Sequence, residues 1–131
     1  MAAAATKPGA ALHNPTVLVV EDDVLIRLSA ADALRSAGFA VVEAATGDEA
    51  VAVLGSSAAV DVVFTDIQMP GSIDGLGLAQ FVRQTRPDLK IVVTSGHAPE
   101  WPSRDLADVF IGKPYSLDRV VERIKGLLGS D

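Results

Sequence analysis

The sequence predicts an α/β domain in which a doubly wound parallel sheet is covered by helices on both faces. Five short runs rich in β-branched residues alternate with segments in which apolar residues recur at helical spacing. The short runs are apolar at successive positions, which is typical of strands buried on both faces. With 131 residues, 49% of them hydrophobic, the chain is long enough for one domain with a substantial core.

Five strands are predicted from the apolar runs, each of ordinary length for a strand in a globular protein. Their central positions are occupied mainly by valine, isoleucine, leucine and phenylalanine, most of which favour a pleated, buried environment. The predicted strands are 16–21 (TVLVVE), 40–44 (AVVEA), 61–66 (DVVFTD), 90–95 (KIVVTS) and 108–112 (DVFIG).

The first helix is predicted over 23–37 and is followed by Gly38, a residue type common just after a helix. The apolar residues expected to face the core are spaced three or four apart: Ile26, Ala30, Ala33, Leu34 and Ala37. Leu25 and Leu28 lie off this face, so we expect them either to contact a partner or to pack at the edge of the helix.

Three further helices are predicted over 47–56, 74–86 and 116–128. Pro87 follows the second of these, and Ser116 is a suitable N-cap for the third. The residues expected to face the core are Ala50, Val53 and Leu54, then Leu78, Phe81 and Val82, and finally Leu117, Val120, Val121, Ile124, Leu127 and Leu128.

The segment between the fourth and fifth strands departs from this alternation. It contains Pro99 and Pro102, and the second proline would remove a hydrogen bond from a helix. We therefore expect a short turn or an irregular crossover here instead of a regular helix.

The composition argues against several classes of function. A net charge of −6 argues against binding nucleic acid through the surface of this domain. The absence of cysteine excludes disulfides and thiolate metal sites, and it fits a reducing compartment. No apolar run approaches the roughly 18 residues that suggest a membrane span. The sequence therefore predicts a soluble, cytoplasmic protein.

Residues 1–15 (MAAAATKPGAALHNP) are rich in small side chains. They lack the basic region and the strongly apolar region of a signal peptide. We expect them to form a disordered tail and the domain to comprise residues 16–131.

Polar side chains follow the predicted strands at their carboxyl ends, which is the edge where open α/β sheets bind ligands. Glu21 and Asp22 end the first strand, Asp66 ends the third, Thr94 lies near the end of the fourth, and Lys113 follows the fifth. Carboxylate oxygens suit Mg²⁺. A carboxylate can also attack phosphorus to form an aspartyl-phosphate, with an amine and a hydroxyl stabilising the phosphoryl oxygens. These residue types predict a site for Mg²⁺ and a phosphoryl group.

These residues lie in segments that closely resemble the receiver domain of two-component response regulators. The matching segments, in order along the chain, are VLVVEDD, DVVFTDIQMPGSIDG, IVVTSG and GKPYSLDRV. The resemblance covers about 16–129 and implies a flavodoxin-like, five-stranded sheet of order 2-1-3-4-5. The sequence TSGH and the short segment before the fifth strand resemble a subgroup of single-domain receivers with a reduced fourth helix.

The resemblance implies roles for the acidic residues of the site. Asp66 resembles the phosphoacceptor, which takes a phosphoryl group from the phosphohistidine of a sensor kinase. Glu21 and Asp22 resemble the acidic pair that binds Mg²⁺, together with Asp66 and the backbone carbonyl of Gln68. The side chain of Gln68 also occupies a position that tunes the lifetime of the phosphoryl group. Asp23 lies one step further on, where we expect it to cap the first helix.

The resemblance also implies roles for residues beyond the acidic group. Thr94 resembles the switch hydroxyl, and Lys113 resembles the amine that pairs with the phosphoryl group. The peptide bond before Pro114 resembles one that is usually cis in the family. Phe110 stands at the aromatic switch position, where plain core packing is an equal alternative. Gly96 is the second position at which lifetime is tuned.

Two departures from the family pattern affect the region that moves on phosphorylation. The loop MPGSIDG is one residue longer than the common form MPxMDG, so we expect it to be remodelled. The interval between Thr94 and Lys113 is shorter than usual, which leaves the usual output surface open to question.

The resemblance implies a stand-alone phosphoacceptor switch. Its expected partners are a histidine kinase or a histidine phosphotransfer protein upstream and a protein target downstream, with no direct contact to nucleic acid or membrane. It is expected to be a monomer or a phosphorylation-dependent dimer. Because it would assist only its own phosphorylation and dephosphorylation, we do not expect an enzyme. An input domain cut from a longer regulator is the alternative.

Two other functions are alternatives to this one. A phosphatase of the haloacid-dehalogenase type also uses an aspartate at a strand end, but it requires a D-x-D pattern, and Gln68 stands where the second acid is needed. A pseudo-receiver that binds without phosphorylation is the other alternative. The complete set of site residues argues against it.

Overall fold

The computed structural model describes residues 14–96 and 105–129, in which five strands alternate with four helices. The strands are β1 (Thr16–Val20), β2 (Ala40–Ala44), β3 (Val62–Asp66), β4 (Lys90–Ser95) and β5 (Val109–Gly112). The helices are α1 (Val24–Ser36), α2 (Gly47–Leu54), α3 (Gly75–Thr85) and α4 (Leu117–Leu127).

The strands form one parallel sheet of order β2-β1-β3-β4-β5, so the predicted fold class and strand order are confirmed. The chain winds from β1 outward to β2, then returns past β1 to β3 and continues through β4 to β5. The direction of winding reverses between β1 and β3. The carboxyl ends of these two strands therefore flank the switch point where such sheets bind ligands.

Each helix begins after a residue whose side chain accepts a hydrogen bond from a backbone amide of the first turn. The four N-cap residues are Asp23, Thr46, Asp74 and Ser116. Asp23 accepts from the amide of Ile26 at 3.0 Å, so the expected capping role is confirmed. Because caps have extended backbone angles, three of the helices begin one residue later than predicted.

The sheet separates two hydrophobic clusters, as the strands with two apolar faces require. The cluster beneath α2 and α3 includes Leu18, Val63, Leu78, Val82 and Ile91. The cluster beneath α1 and α4 includes Val19, Leu34, Phe64, Val120 and Ile124.

The inward face of α1 differs from the prediction in its first turn. Ala30 and Leu34 are buried as predicted, but Ile26 is 38% exposed and Ala31 is buried. The reason is that only a short connection separates β1 from α1, so the first turn of the helix lies beside the carboxyl edge of the sheet and not over its centre. Ile26 consequently lines the cleft at this edge and does not join the core.

Two predictions fall outside the described residues: most of the disordered tail (1–13) and the irregular crossover (97–104). The short or reduced fourth helix of the family belongs to that crossover. No helix in the described ranges combines the length and the apolar character that a membrane span requires.

Candidate functional site

Three of the predicted acids meet at the carboxyl edge of the sheet. Because β1 and β3 are parallel neighbours, Glu21 and Asp22 lie next to Asp66, and one carboxylate oxygen of each lies within 4.8 Å of the others. Glu21 and Asp66 are buried, with 6% and 8% of their surface exposed, whereas Asp22 is exposed. Three hard oxygen donors at this spacing fit a divalent cation such as Mg²⁺.

Lys113 brings a cation to the acidic cluster. Its Nζ donates to Asp66 Oδ2 at 2.7 Å and lies 3.6 Å from Glu21 Oε1. The backbone amide of Lys113 donates to the Ser95 carbonyl at 2.9 Å, which ties the residue after β5 to the end of β4. The ammonium charge therefore offsets the repulsion between the two buried carboxylates.

The ionisation of the site follows from burial and from these charges. Burial raises the pKa of the Glu21 carboxyl; the amide of Asp23 and the charge of Lys113 act against this rise without cancelling it. Burial alone would lower the pKa of Lys113, but the hydrogen bond to Asp66 and the charges of Asp66 and Glu21 raise it. The lysine is thus held in its charged form.

The two oxygens of Asp66 have different partners. Oδ2 accepts from the Lys113 amine, and Oδ1 accepts from the backbone amide of Gln68 at 3.2 Å. These two contacts fix the plane of the carboxylate within the cleft. The Gln68 side chain itself is exposed to solvent beside the site.

Thr94 lies directly opposite Asp66 in the register of β3 and β4. It is buried, its carbonyl accepts from the amide of Ile67 at 2.9 Å, and it lines the same narrow cleft as Asp66 and Glu21. The structure therefore brings together five predicted site residues: Glu21, Asp22, Asp66, Thr94 and Lys113.

The remaining predicted positions surround this group. Phe110 is half-buried and packs against the cluster beneath α2 and α3, which agrees with its interpretation as a core residue. Gly96 is exposed, with open space where a Cβ would point. The Lys113–Pro114 peptide bond is cis.

The loop between Asp66 and α3 is held by a close backbone contact. The amide of Gly75 donates to the Ile67 carbonyl at 2.8 Å, and a Cβ at Gly75 would collide with the Asp66 carbonyl oxygen. Gly47, at the start of α2, approaches the same loop closely, because a Cβ there would collide with the Ile73 carbonyl oxygen. Both positions therefore require glycine for steric reasons.

Two further features define the conformation of this loop. Gly71 has a φ of +105°, in the left-handed region that glycine favours. The hydroxyl of Ser72 lies 2.9 Å from both carboxylate oxygens of Asp48 in the first turn of α2. The loop is thus anchored to α2 as well as to α3.

An apolar groove of about 520 Å³ opens beside the acidic cluster. Its lining residues come from α1 and from the turn between β5 and α4: Leu25, Ile26, Ser29, Lys113, Pro114, Tyr115 and Leu117. Large apolar side chains on this part of α1 are exposed, including Leu25 at 76% and Leu28 at 43%. Leu25 and Leu28 therefore lie outside the core, as expected from their position off the inward face of α1.

Two residues near the site were not identified from the sequence. Arg27 donates to the backbone carbonyl of Glu21, and Tyr115 packs edge-on against Phe64 with ring centroids 6.0 Å apart. Tyr115 lines both the apolar groove and the cleft that contains Asp66. The adjacent Lys-Pro pair was a signal for Tyr115, whereas the contacts of Arg27 depend on tertiary structure.

Comparison with known proteins identifies relatives of this arrangement. The family described as response regulator receiver domain matches residues 17–125. The chain is 39% identical over 120 residues to the sensor kinase CckA of Brucella abortus, covering 88% of this chain and 13% of that protein. It is 33% identical over 119 residues to the transcriptional regulatory protein ResD of Bacillus subtilis, covering 88% of this chain and 49% of that protein. The chain therefore spans less than half the length of either relative.

Two solved structures match over nearly their whole length. A response regulator receiver protein from Sinorhizobium medicae is 33% identical, with a TM-score of 0.83 and coverage of 90% of this chain and 97% of that one. The response regulator protein TrrA from Thermotoga maritima, solved in complex with Mg²⁺-BeF, is 30% identical, with a TM-score of 0.78 and coverage of 86% and 98%.

Proposed function

The chain belongs to the response regulator receiver domain family of two-component systems, and on that basis we propose that it is a phosphoacceptor switch in which Asp66 takes up a phosphoryl group. The observation that carries the proposal is the position of the Asp66 carboxylate. One of its oxygens lies within 4.8 Å of the carboxylates of Glu21 and Asp22, and its Oδ2 is 2.7 Å from the Lys113 amine. A buried carboxylate with a cation at hydrogen-bonding distance is suited to attack an electrophilic phosphorus.

In the proposed reaction an oxygen of Asp66 attacks the phosphorus of a phosphohistidine in a histidine kinase or phosphotransfer protein. The new O–P bond forms as the P–N bond breaks, and the imidazole nitrogen keeps the bonding electron pair and takes a proton from water. The Lys113 amine, now beside Asp66 Oδ2, is placed to pair with a phosphoryl oxygen. The Thr94 hydroxyl would donate to another phosphoryl oxygen.

Glu21, Asp22 and Asp66 would bind Mg²⁺, with the backbone carbonyl of Gln68 as a further ligand. Their three clustered carboxylate oxygens support this assignment, since Mg²⁺ takes few carboxylates and completes its shell with water and phosphate oxygens. When bound, the ion offsets the negative charge of the phosphoryl oxygens. The related protein TrrA was solved in complex with Mg²⁺-BeF, which supports a Mg²⁺ site in this chain.

The remaining residues suggest how phosphorylation changes the conformation of the domain and how the phosphoryl group is hydrolysed. Phe110, packed beneath α2 and α3, would report phosphorylation by a change in packing, because phenylalanine has no hydroxyl to bond. The exposed Gln68 side chain and the bare Gly96 flank the site and would set how easily water reaches the phosphoryl group. The domain would assist only its own phosphorylation and dephosphorylation.

The upstream partner would dock on the apolar groove. Leu25 is exposed on α1 and lines the groove together with Pro114, which adjoins Lys113 at the site. Leu28 is also exposed on α1. A partner covering these residues would lie beside Lys113, which contacts Asp66. The proposed partners are a histidine kinase or phosphotransfer protein upstream, which would use this groove, and a protein target downstream.

The proposal is tested by incubating the protein with Mg²⁺ and acetyl phosphate or phosphoramidate and measuring its intact mass. We expect wild type to gain one phosphoryl group and Asp66→Ala to gain none. Asp88→Ala is the control, because Asp88 is exposed in the turn between α3 and β4, away from the site. A wild-type protein that gains no phosphoryl group under these conditions would contradict the proposed function.

A further inference from the structure

We propose that Arg27 is a positioning residue for the metal site, acting through the peptide group between Glu21 and Asp22. The inference rests on the proposed function, because it concerns the same Mg²⁺ site. Arg27 Nη1 donates to the Glu21 carbonyl oxygen at 2.8 Å, and its Nε lies 3.3 Å from Glu43 Oε1 in β2. The guanidinium thus links the residue after β1 to the neighbouring strand.

The hydrogen bond to Glu21 controls the direction in which the chain leaves β1. The carbonyl oxygen of Glu21 and the amide nitrogen of Asp22 belong to one planar group, so a donor on the oxygen orients the whole peptide. On its other side, the amide of Glu21 donates to the Ala44 carbonyl at 3.1 Å, which extends the pairing with β2. Arg27 therefore orients the Glu21–Asp22 peptide. This peptide leads directly to the Cα that carries the exposed Asp22 side chain.

The guanidinium is itself held in place. Its side chain is 16% exposed, and that of Glu43 is 24% exposed. Arg35 contacts the second carboxylate oxygen of Glu43 at 3.3 Å, so the acid is fixed from both sides. An arginine serves two acceptors at once through its planar fork, whereas a lysine has one compact charge that would satisfy one of them at a time.

Electrostatics and positioning predict opposite effects when Arg27 is removed. A cation beside a Mg²⁺ site repels the ion, so the loss of charge alone would tighten Mg²⁺ binding. Loss of the hydrogen bond to Glu21 would free the Glu21–Asp22 peptide and weaken binding. Because Glu43 offsets the charge of Arg27, we expect the loss of positioning to outweigh the loss of charge. Removal of Arg27 should therefore weaken Mg²⁺ binding.

The test measures Mg²⁺ affinity of the full chain by calorimetric titration, without any phosphoryl donor. We expect Arg27→Ala to weaken Mg²⁺ binding about tenfold, a typical loss when a residue supporting a metal ligand is removed. Arg35→Ala is the matched control: it loses a contact with the same Glu43 but none with Glu21, and its affinity should stay within about twofold of wild type. Arg27→Lys should remain weaker than wild type.

A second readout separates positioning from general stability. Amide hydrogen exchange at Asp23, whose amide donates to Glu21 Oε2 at 3.1 Å, should accelerate in Arg27→Ala relative to the amides of β3. If Arg27→Ala does not fold, Arg27→Lys carries the same comparison with wild type. Unchanged or tighter Mg²⁺ binding in the Arg27 variant, or an equal loss in Arg35→Ala, would overturn the inference. If wild type neither binds Mg²⁺ nor takes phosphoryl on Asp66, the proposed function itself fails.

Discussion

The Lys113 amine and the Asp66 carboxylate form an ion pair of 2.7 Å, although β4 lies between their strands. The lysine follows β5, and its long side chain reaches back across the end of β4 to the end of β3. It is 27% exposed, while the Asp66 side chain is 9% exposed, so the pair is shielded from bulk water on one side. The contact neutralises part of the buried negative charge, and it places the amine beside the carboxylate that we propose to be phosphorylated.

Removing the charge of Lys113 should destabilise the Mg²⁺-free domain. We expect Lys113→Met to lower the free energy of unfolding by about 1–2 kcal/mol, because Asp66 loses a charge-assisted hydrogen bond and the two buried acids lose their cation. The measurement is urea unfolding in the presence of a chelator. Lys125→Met, on the exposed side of α4, should have little effect. Equal stability of the two variants would contradict this account.

Asp22 and Asp23 are adjacent acids with different expected roles. Asp22→Ala should weaken Mg²⁺ binding at least tenfold, because it removes one of three clustered oxygen donors. Asp23→Ala should leave Mg²⁺ affinity nearly unchanged and cost about 1 kcal/mol of stability, since it removes the N-cap that accepts from Ile26. Calorimetric titration and urea unfolding of both variants provide the measurements. Each variant is the control for the other, and equal losses of Mg²⁺ affinity would contradict the distinction.

The fold and most of the site follow from local sequence patterns. Asp66 and Thr94 could be placed together because both end apolar strands of a parallel sheet, whose carboxyl ends share one edge. Asp23 could be separated from Glu21 and Asp22 because it lies at the start of the first predicted helix, where an acidic side chain is a natural N-cap.

Other features depend on tertiary contacts that no spacing reveals. The periodicity of α1 placed Ile26 in the core, but the helix begins at the rim of the sheet, and its first turn has the cleft below it. No sequence pattern singles out Arg27, because its acceptors lie on Glu21 and on Glu43, the latter sixteen positions away. The requirement for glycine at position 75 also depends on a tertiary contact, because the Asp66 carbonyl leaves no room for a Cβ there.

The raised pKa of Glu21 predicts a pH dependence of stability without Mg²⁺. A carboxyl whose pKa is higher in the folded than in the unfolded state binds more protons when folded, so its contribution to stability falls as the pH rises through that interval. Glu21→Gln should therefore stabilise the Mg²⁺-free domain at neutral pH. The gain should shrink as the pH falls toward about 4.3, the ordinary value for glutamate.

Thermal unfolding in chelator at several pH values checks this prediction. Glu122→Gln, at an exposed position of α4, is the control and should show no comparable gain. A Glu21→Gln variant that is less stable than wild type at neutral pH would show that the attraction to Lys113 outweighs burial. The same variant should bind Mg²⁺ more weakly, because a carboxylate ligand is lost.

Gly75→Ala should disturb the site through the backbone. The added Cβ would collide with the Asp66 carbonyl oxygen and lie 2.6 Å from Ile67 Cα, so either α3 or the strand end must shift. We expect a loss of about 2 kcal/mol in the free energy of unfolding, in the range typical of overpacking. Because the collision is with the proposed phosphoacceptor's own backbone, phosphorylation by acetyl phosphate should slow even at temperatures where the variant is folded.

Gly126→Ala is the matched control for this substitution. Gly126 lies in α4 with nothing within 4 Å of the position where a Cβ would point, so alanine should stabilise the helix by about 0.5 kcal/mol. A loss of stability in Gly75→Ala together with a gain in Gly126→Ala would show that the close approach of the Asp66 backbone, and not helix propensity, determines which residues position 75 accepts. If Gly75→Ala matched wild type in both stability and phosphorylation rate, the close approach of α3 to Asp66 would not constrain the site.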